Sequence, residues 1–113
     1  MVDGFLGFRP GCKVWLEKEG AVFGEGLYRL LLGIDRAGSI AAAAMEMGMS
    51  YRAAWGKIRA AEKRWRISLV ITRVGGEAGG GARLTGEARM LVERFRELQH
   101  ETESLVKHFY SKL

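Results

Sequence analysis

The residues able to do chemistry cluster in one short stretch: Arg52, Arg59 and Lys63, with Arg66 at their flank. On a helical wheel Arg52, Gly56, Arg59 and Lys63 fall on one side, and Ala54, Ile58 and Ala61 fall on the other. Cations aligned on one helix face can neutralise phosphates, and a guanidinium can also pair bidentately with a guanine edge. Such a helix suits the major groove of DNA, where residues of its first turns, here Ser50, Tyr51 and Arg52, reach base edges or nearby phosphates. Arg52 is the candidate for a base contact. Arg59 and Lys63 are better placed for phosphate, which positions a protein without reading sequence. Gly56 removes a side chain from the same face, so backbone can approach, and Trp55 lies beside it.

The stretch before this helix must position it. Ser39 follows Gly38 and is a good N-cap, at the end of a helix that faces the same ligand. Ile40, Ala43, Ala44 and Met47 recur at helical spacing. Ala44 is small enough for two helices to cross closely. Gly48 supplies the left-handed residue that ends this helix, Met49 lies inside the turn, and Ser50 caps the next helix. That is the layout of a helix-turn-helix. A basic helix face is also what ordinary solvated surface looks like, so the following segment decides the reading.

That segment is β-favouring from Leu69 to Val74, then runs into GGEAGGG, with five glycines in seven positions, and returns through Ala82-Arg83-Leu84. A tip so rich in glycine cannot pack a core. It reads as a wing lying along DNA, with Gly79, Gly80 and Gly81 letting amides meet phosphate. Arg73 and Arg83 flank the tip, suited to phosphate or minor-groove contact. A plain loop and a nucleotide phosphate cradle are the alternatives. The dinucleotide and Walker-type patterns both fail, because the Lys-Ser/Thr pair and the βαβ setting are missing.

The remaining elements read outward from this unit. Residues 1–12 hold three glycines and the only proline, and are expected to form a flexible N-terminal arm. Residues 13–26 suggest a short hairpin turning at Glu19-Gly20. A helix is expected over Glu25–Ala37, with Leu27, Leu30, Leu31 and Ile34 on its apolar side. Thr85 should cap a last helix running unbroken to near Lys112, with Glu87 in its first turn. There Leu91, Phe95, Leu98, Thr102, Leu105 and Phe109 follow at alternating spacings of four and three, flanked by charges, which is the seam of a dimerising helix. The first turns are also expected to pack on their own domain.

Composition narrows the class. The chain has 113 residues, 48% of them hydrophobic, and a net charge of +5, so it suits one soluble domain with an anionic partner. No apolar run approaches the roughly 20 residues needed to span a bilayer. The N-terminus lacks the pattern of a secretory signal. The single cysteine, Cys12, cannot form an internal disulfide and fits a reducing cytoplasm. His100 and His108 are too far apart for a helical metal pair, and no third ligand joins them. No metal, cofactor or catalytic group is expected.

With these residues identified, the chain from about Lys13 to Leu98 resembles the N-terminal DNA-binding domain of the ModE-type, molybdate-responsive transcription regulators. The likeness rests on GSIAAAAMEMGMSYRAAW (Gly38 to Trp55), on the strand LVITRV, and on GGEAGGGARLT (Gly75 to Thr85). It implies a LysR-like winged helix and a long dimerising helix. By position it places Ser50, Tyr51, Arg52 and Trp55 in the recognition helix, and Gly79, Gly80, Gly81 and Arg83 in the wing. Full-length members carry C-terminal molybdate-binding domains, whereas this sequence stops at Leu113 after the long helix, so molybdate binding by this chain is not expected.

The expected fold class is therefore α+β and mostly helical: an arm (1–12), a winged helix-turn-helix domain (13–84) and a long C-terminal dimerisation helix (85–113). The expected partners are double-stranded DNA and a second copy of the chain, with no membrane. The competing functional readings are a winged-helix protein-interaction module, which would show no salt-sensitive DNA binding, and a small oxyanion sensor, which would take up molybdate or tungstate.

Overall fold

A computed structural model describes residues 6–73 and 81–113. The element order is β1 (Leu16–Lys18), β2 (Ala21–Phe23), α1 (Glu25–Ala37), α2 (Ile40–Glu46), α3 (Tyr51–Trp65), β3 (Val70–Arg73), β4 (Gly81–Leu84) and α4 (Gly86–Tyr110). The strands form two separate antiparallel hairpins, β1-β2 and β3-β4. The expected arm falls partly outside the described residues, and so does the wing tip at 74–80, including Gly79 and Gly80.

The local punctuation explains the element ends. Gly38 stops α1 in the left-handed region, its amide donating to the Ile34 carbonyl at 2.7 Å. At the end of α2, Gly48 has φ 72°, its amide donates to the Met45 carbonyl, and the Met49 amide donates to Ala44. This doubly bonded ending fixes the turn into α3. The Ser39, Ser50 and Thr85 hydroxyls accept from the amides of Ala42, Ala53 and Ala88, capping α2, α3 and α4. The end of α3 breaks the usual preference: Arg66, not a glycine, stands at φ 59°.

The core gathers between α1, α3 and the first half of α4. Phe23 packs edge-on against Phe95, with ring centroids 5.3 Å apart, and lies beside Trp65. Tyr28 leans on Phe95 with ring centroids 4.9 Å apart and the planes tilted by 51°. The Trp65 indole donates to the Lys18 carbonyl at 3.0 Å, which ties the first hairpin to α3. Leu30, Leu31, Ile34, Ile58 and Leu69 are fully buried among these rings. Helices α1 and α2 approach so closely that a Cβ on Gly33 would lie 3.1 Å from that of Ala43. Both Ala43 and Ala44 are buried.

The seam expected along α4 divides in two. Phe95 is completely buried in its own protomer's core, and Leu91 and Leu98 pack against the same core. Phe95 therefore has no surface to offer a partner and drops out of the dimer seam. Ala88 and Val92 are buried with it, so the winged-helix body extends past residue 84. Beyond Thr102 the helix leaves the body, with Leu105 67% and Phe109 52% exposed. The described residues accordingly span 58 × 31 × 21 Å.

Candidate nucleic-acid interface

Helix α3 is anchored by Ala54, Ile58, Ala61 and Trp65, all buried. The face opposite is exposed at Tyr51, Arg52, Gly56, Arg59 and Lys63, and Trp55 is half-buried at its edge. Ser50 is exposed at the N-terminus of α3, and Ser39 is half-buried at the N-terminus of α2. The two capping serines thus spend their hydroxyls on helix ends. Two further cations, Lys57 and Arg64, are exposed on the other flank of α3. Their spacing of seven put them on one stripe in the sequence, but its distance from Arg52 hid their relevance. The Arg64 guanidinium lies over the β1-β2 turn, 3.0 Å from where a Cβ on Gly20 would stand.

Arg59 is not the free cation its position on the wheel suggested. Its Nη1 donates to Glu62 Oε1 at 3.1 Å, and its guanidinium stacks over the Trp55 ring at 4.2 Å. Glu62 itself is buried, and its second oxygen accepts from the amides of Leu69 (2.7 Å) and Val70 (3.2 Å). Sequence reasoning did not single out Glu62. Its value depends on a strand that returns seven and eight residues later.

The wing's register is Val70↔Leu84, Ile71↔Arg83, Thr72↔Ala82 and Arg73↔Gly81. Alternation then places Ile71, Arg73, Gly81 and Arg83 on one face of the hairpin. Arg73 and Arg83 are both exposed there. The Arg73 guanidinium crosses the ladder to within 3.9 Å of where a Cβ on Gly81 would stand. Val70 and Leu84, on the opposite face, are buried in the core. The Ala82 amide donates to the Gly38 carbonyl at 2.9 Å, hooking the wing to the turn just before Ser39. A cleft of about 600 Å³ opens there, lined by Gly38, Ile71, Thr72, Arg73, Gly81, Ala82 and Arg83. Thr85 closes the unit: its hydroxyl donates to the Ser68 carbonyl at 2.6 Å while capping α4.

An arrangement of this kind can take a polyanion along α3 and the wing. Among the described residues no group of three His, Cys, Asp or Glu is placed to hold a metal, and no helix is long and apolar enough to cross a membrane.

The profile of the family described as "Bacterial regulatory helix-turn-helix protein, lysR family" matches residues 26–89. The chain is 38% identical over 100 residues to the molybdenum-pterin-binding protein MopB of Rhodobacter capsulatus, covering 88% of this chain and 37% of that protein. It is 35% identical over 94 residues to the molybdenum transport protein ModE of Azotobacter vinelandii, covering 83% and 35%. With the transcriptional regulator ModE of Haemophilus influenzae it shares 36% identity over 75 residues, covering 66% and 29%. The chain thus spans about a third of the length of these relatives. Among solved structures it is similar to that titled "Crystal structure of CbnR_DBD-DNA complex", with TM-score 0.58, 17% identity, and coverage of 77% of this chain and 94% of the other.

Proposed function

The chain belongs to the lysR family of bacterial regulatory helix-turn-helix proteins, and from that premise we propose that it is a DNA-binding transcription regulator acting in molybdenum-related gene control as a homodimer. The observation that carries this reading is the two-sided α3: one face is sealed in the core, and the other exposes Arg52, Gly56, Arg59 and Lys63. The link to molybdenum rests on what the relatives are called, and the match covers only 37% and 35% of their lengths.

In this reading Ser50, Tyr51 and Arg52 meet base edges or phosphates in the major groove, with Trp55 and Gly56 alongside. Lys63 engages the phosphate backbone, and Ser39 lies at the adjoining end of α2. Arg73 and Arg83 bring the wing to flanking backbone, with Gly79, Gly80 and Gly81 at its tip. The second copy docks through the projecting half of α4, at Thr102, Leu105 and Phe109, with Leu91 and Leu98 bracing the helix from inside. A regulator of chromosomal genes works in the cytoplasm. No molybdate site and no catalytic step are assigned to this chain.

Fluorescence titration against mixed-sequence duplex at low and moderate salt tests the reading. Affinity should fall steeply with salt, since each neutralised phosphate contributes roughly 0.9 to the logarithmic slope. Arg52→Ala should cost about 1–3 kcal/mol on a selected site and much less on mixed DNA. Lys63→Ala should weaken both alike. Absence of salt-sensitive binding would leave the protein-interaction reading in place of this one.

A further inference from the structure

Glu62 occupies the junction between the two surfaces that the regulator reading assigns to DNA. It stands on α3 three residues after Arg59, yet it is only 9% exposed. Burying a carboxylate is unfavourable unless donors surround it. Here three do: the Leu69 and Val70 amides on one oxygen, and the Arg59 guanidinium on the other. Bonds of this kind, with an ionised partner, are about twice as strong as neutral ones. Val70 begins β3, so the same carboxylate grips the root of the wing and a cation of the DNA-facing helix. The Trp55 ring holds that guanidinium from its other side.

We propose that Glu62 is a positioning residue that locks Arg59 and the wing root into one fixed relation. Its carboxylate at the same time withdraws Arg59 from general phosphate binding. The inference rests on the regulator reading and adds a division of labour to it. A cation already paired with a carboxylate releases little of the counterion atmosphere of DNA, so it adds little to sequence-independent affinity. The free cations, Lys63 among them, supply that affinity. Arg59 serves orientation, and Glu62 lowers binding to DNA at large so that the contacts of Arg52 weigh more in the choice of site.

The test uses the full 113-residue chain and two duplexes, a site selected from random sequence and a mixed-sequence competitor. Glu62→Gln keeps a carbonyl oxygen for the Leu69 and Val70 amides but turns an amide group toward Arg59, which it cannot hold. The expected result is a salt slope steeper by about 0.9, tighter binding to mixed duplex by several-fold at 0.1 M salt, and a lower ratio of selected to mixed affinity. In an Arg59→Ala background the same change should have no effect on the slope. A merely structural role would weaken binding to both duplexes together, and that outcome, or a slope and ratio equal to wild type, overturns the proposal. If Glu62→Gln does not fold, Arg59→Ala alone decides: it should leave the slope nearly unchanged, whereas a drop as large as that of Lys63→Ala overturns the proposal. Wild-type protein that binds no duplex would sink the regulator reading and this inference together, whereas a null result from Glu62→Gln in a protein that binds DNA sinks the inference alone.

Discussion

Two substitutions ten residues apart on α4 should fail in opposite ways. Phe95 and Leu105 both sit on the seam read from the sequence, but Phe95 is 0% exposed and Leu105 is 67% exposed. Phe95→Ala removes a ring packed against Phe23 and Tyr28 and leaves a cavity that the aromatic cluster cannot close. The expected cost is about 3–5 kcal/mol. For a domain of this size, at about 4 °C per kcal/mol, the melting temperature should drop by roughly 12–20 °C. Leu105→Glu should change the stability of the single chain by no more than about 0.5 kcal/mol, because its side chain is largely in water there. In the proposed dimer, two leucines of this exposure would contribute together about 2–4 kcal/mol, so the dissociation constant should rise by about 30-fold to several hundred-fold. Sedimentation over a concentration series reads the association. Melting at two concentrations reads it independently, since a dimer's transition moves with concentration. Pairing Leu105→Glu with Phe109→Glu is cleaner than pairing it with Leu98→Glu, because Leu98 also packs on the core. Leu105→Glu protein that sediments like wild type, or Phe95→Ala protein that melts like it, would refute the division of the helix.

Thr85→Ala should destabilise by about 1–2 kcal/mol in urea unfolding, about 1 from the lost cap and the rest from the lost bond to the Ser68 carbonyl, while Thr85→Ser should stay near wild type. An alanine variant within 0.5 kcal/mol of wild type, as a rough limit, would show that the hydroxyl is not a buried link between the α3-β3 loop and α4. Arg66→Gly should raise stability by about 0.5–1 kcal/mol, because Arg66 holds a left-handed conformation that glycine adopts without a Cβ clash. A lower melting temperature for that variant would mean that the stem of Arg66 packs more than its exposure suggests.

The helix-turn-helix was legible because its signals act over a few residues. Ser39, Ser50 and Thr85 each cap the helix they announce, and Gly38 and Gly48 take the left-handed turns their type permits. The Glu19-Gly20 turn and the strand at Val70–Arg73 were readable for the same reason. Gly33 was not singled out, since a glycine inside a helix shows its purpose only when α2 crosses it at Ala43. The likeness of α4 to a continuous dimer seam failed at Phe95, because spacings of three and four look the same whether a stripe meets its own core or another chain.

By itself, then, the order of residues determined where helices start and stop, which side of each is apolar, and that a basic α3 stands beside a glycine-rich hairpin. Caps, turns and periodicity depend on groups within about one helical turn of each other, so neighbours in the chain suffice. Tertiary structure alone decided which partner each apolar stripe meets and which charges are spoken for. Phe95 is claimed by Phe23 and Tyr28, and Glu62 by the Leu69 and Val70 amides, only because other segments fold back onto them. Burial is a property of everything that surrounds a side chain, and for these residues the surroundings come from other parts of the chain.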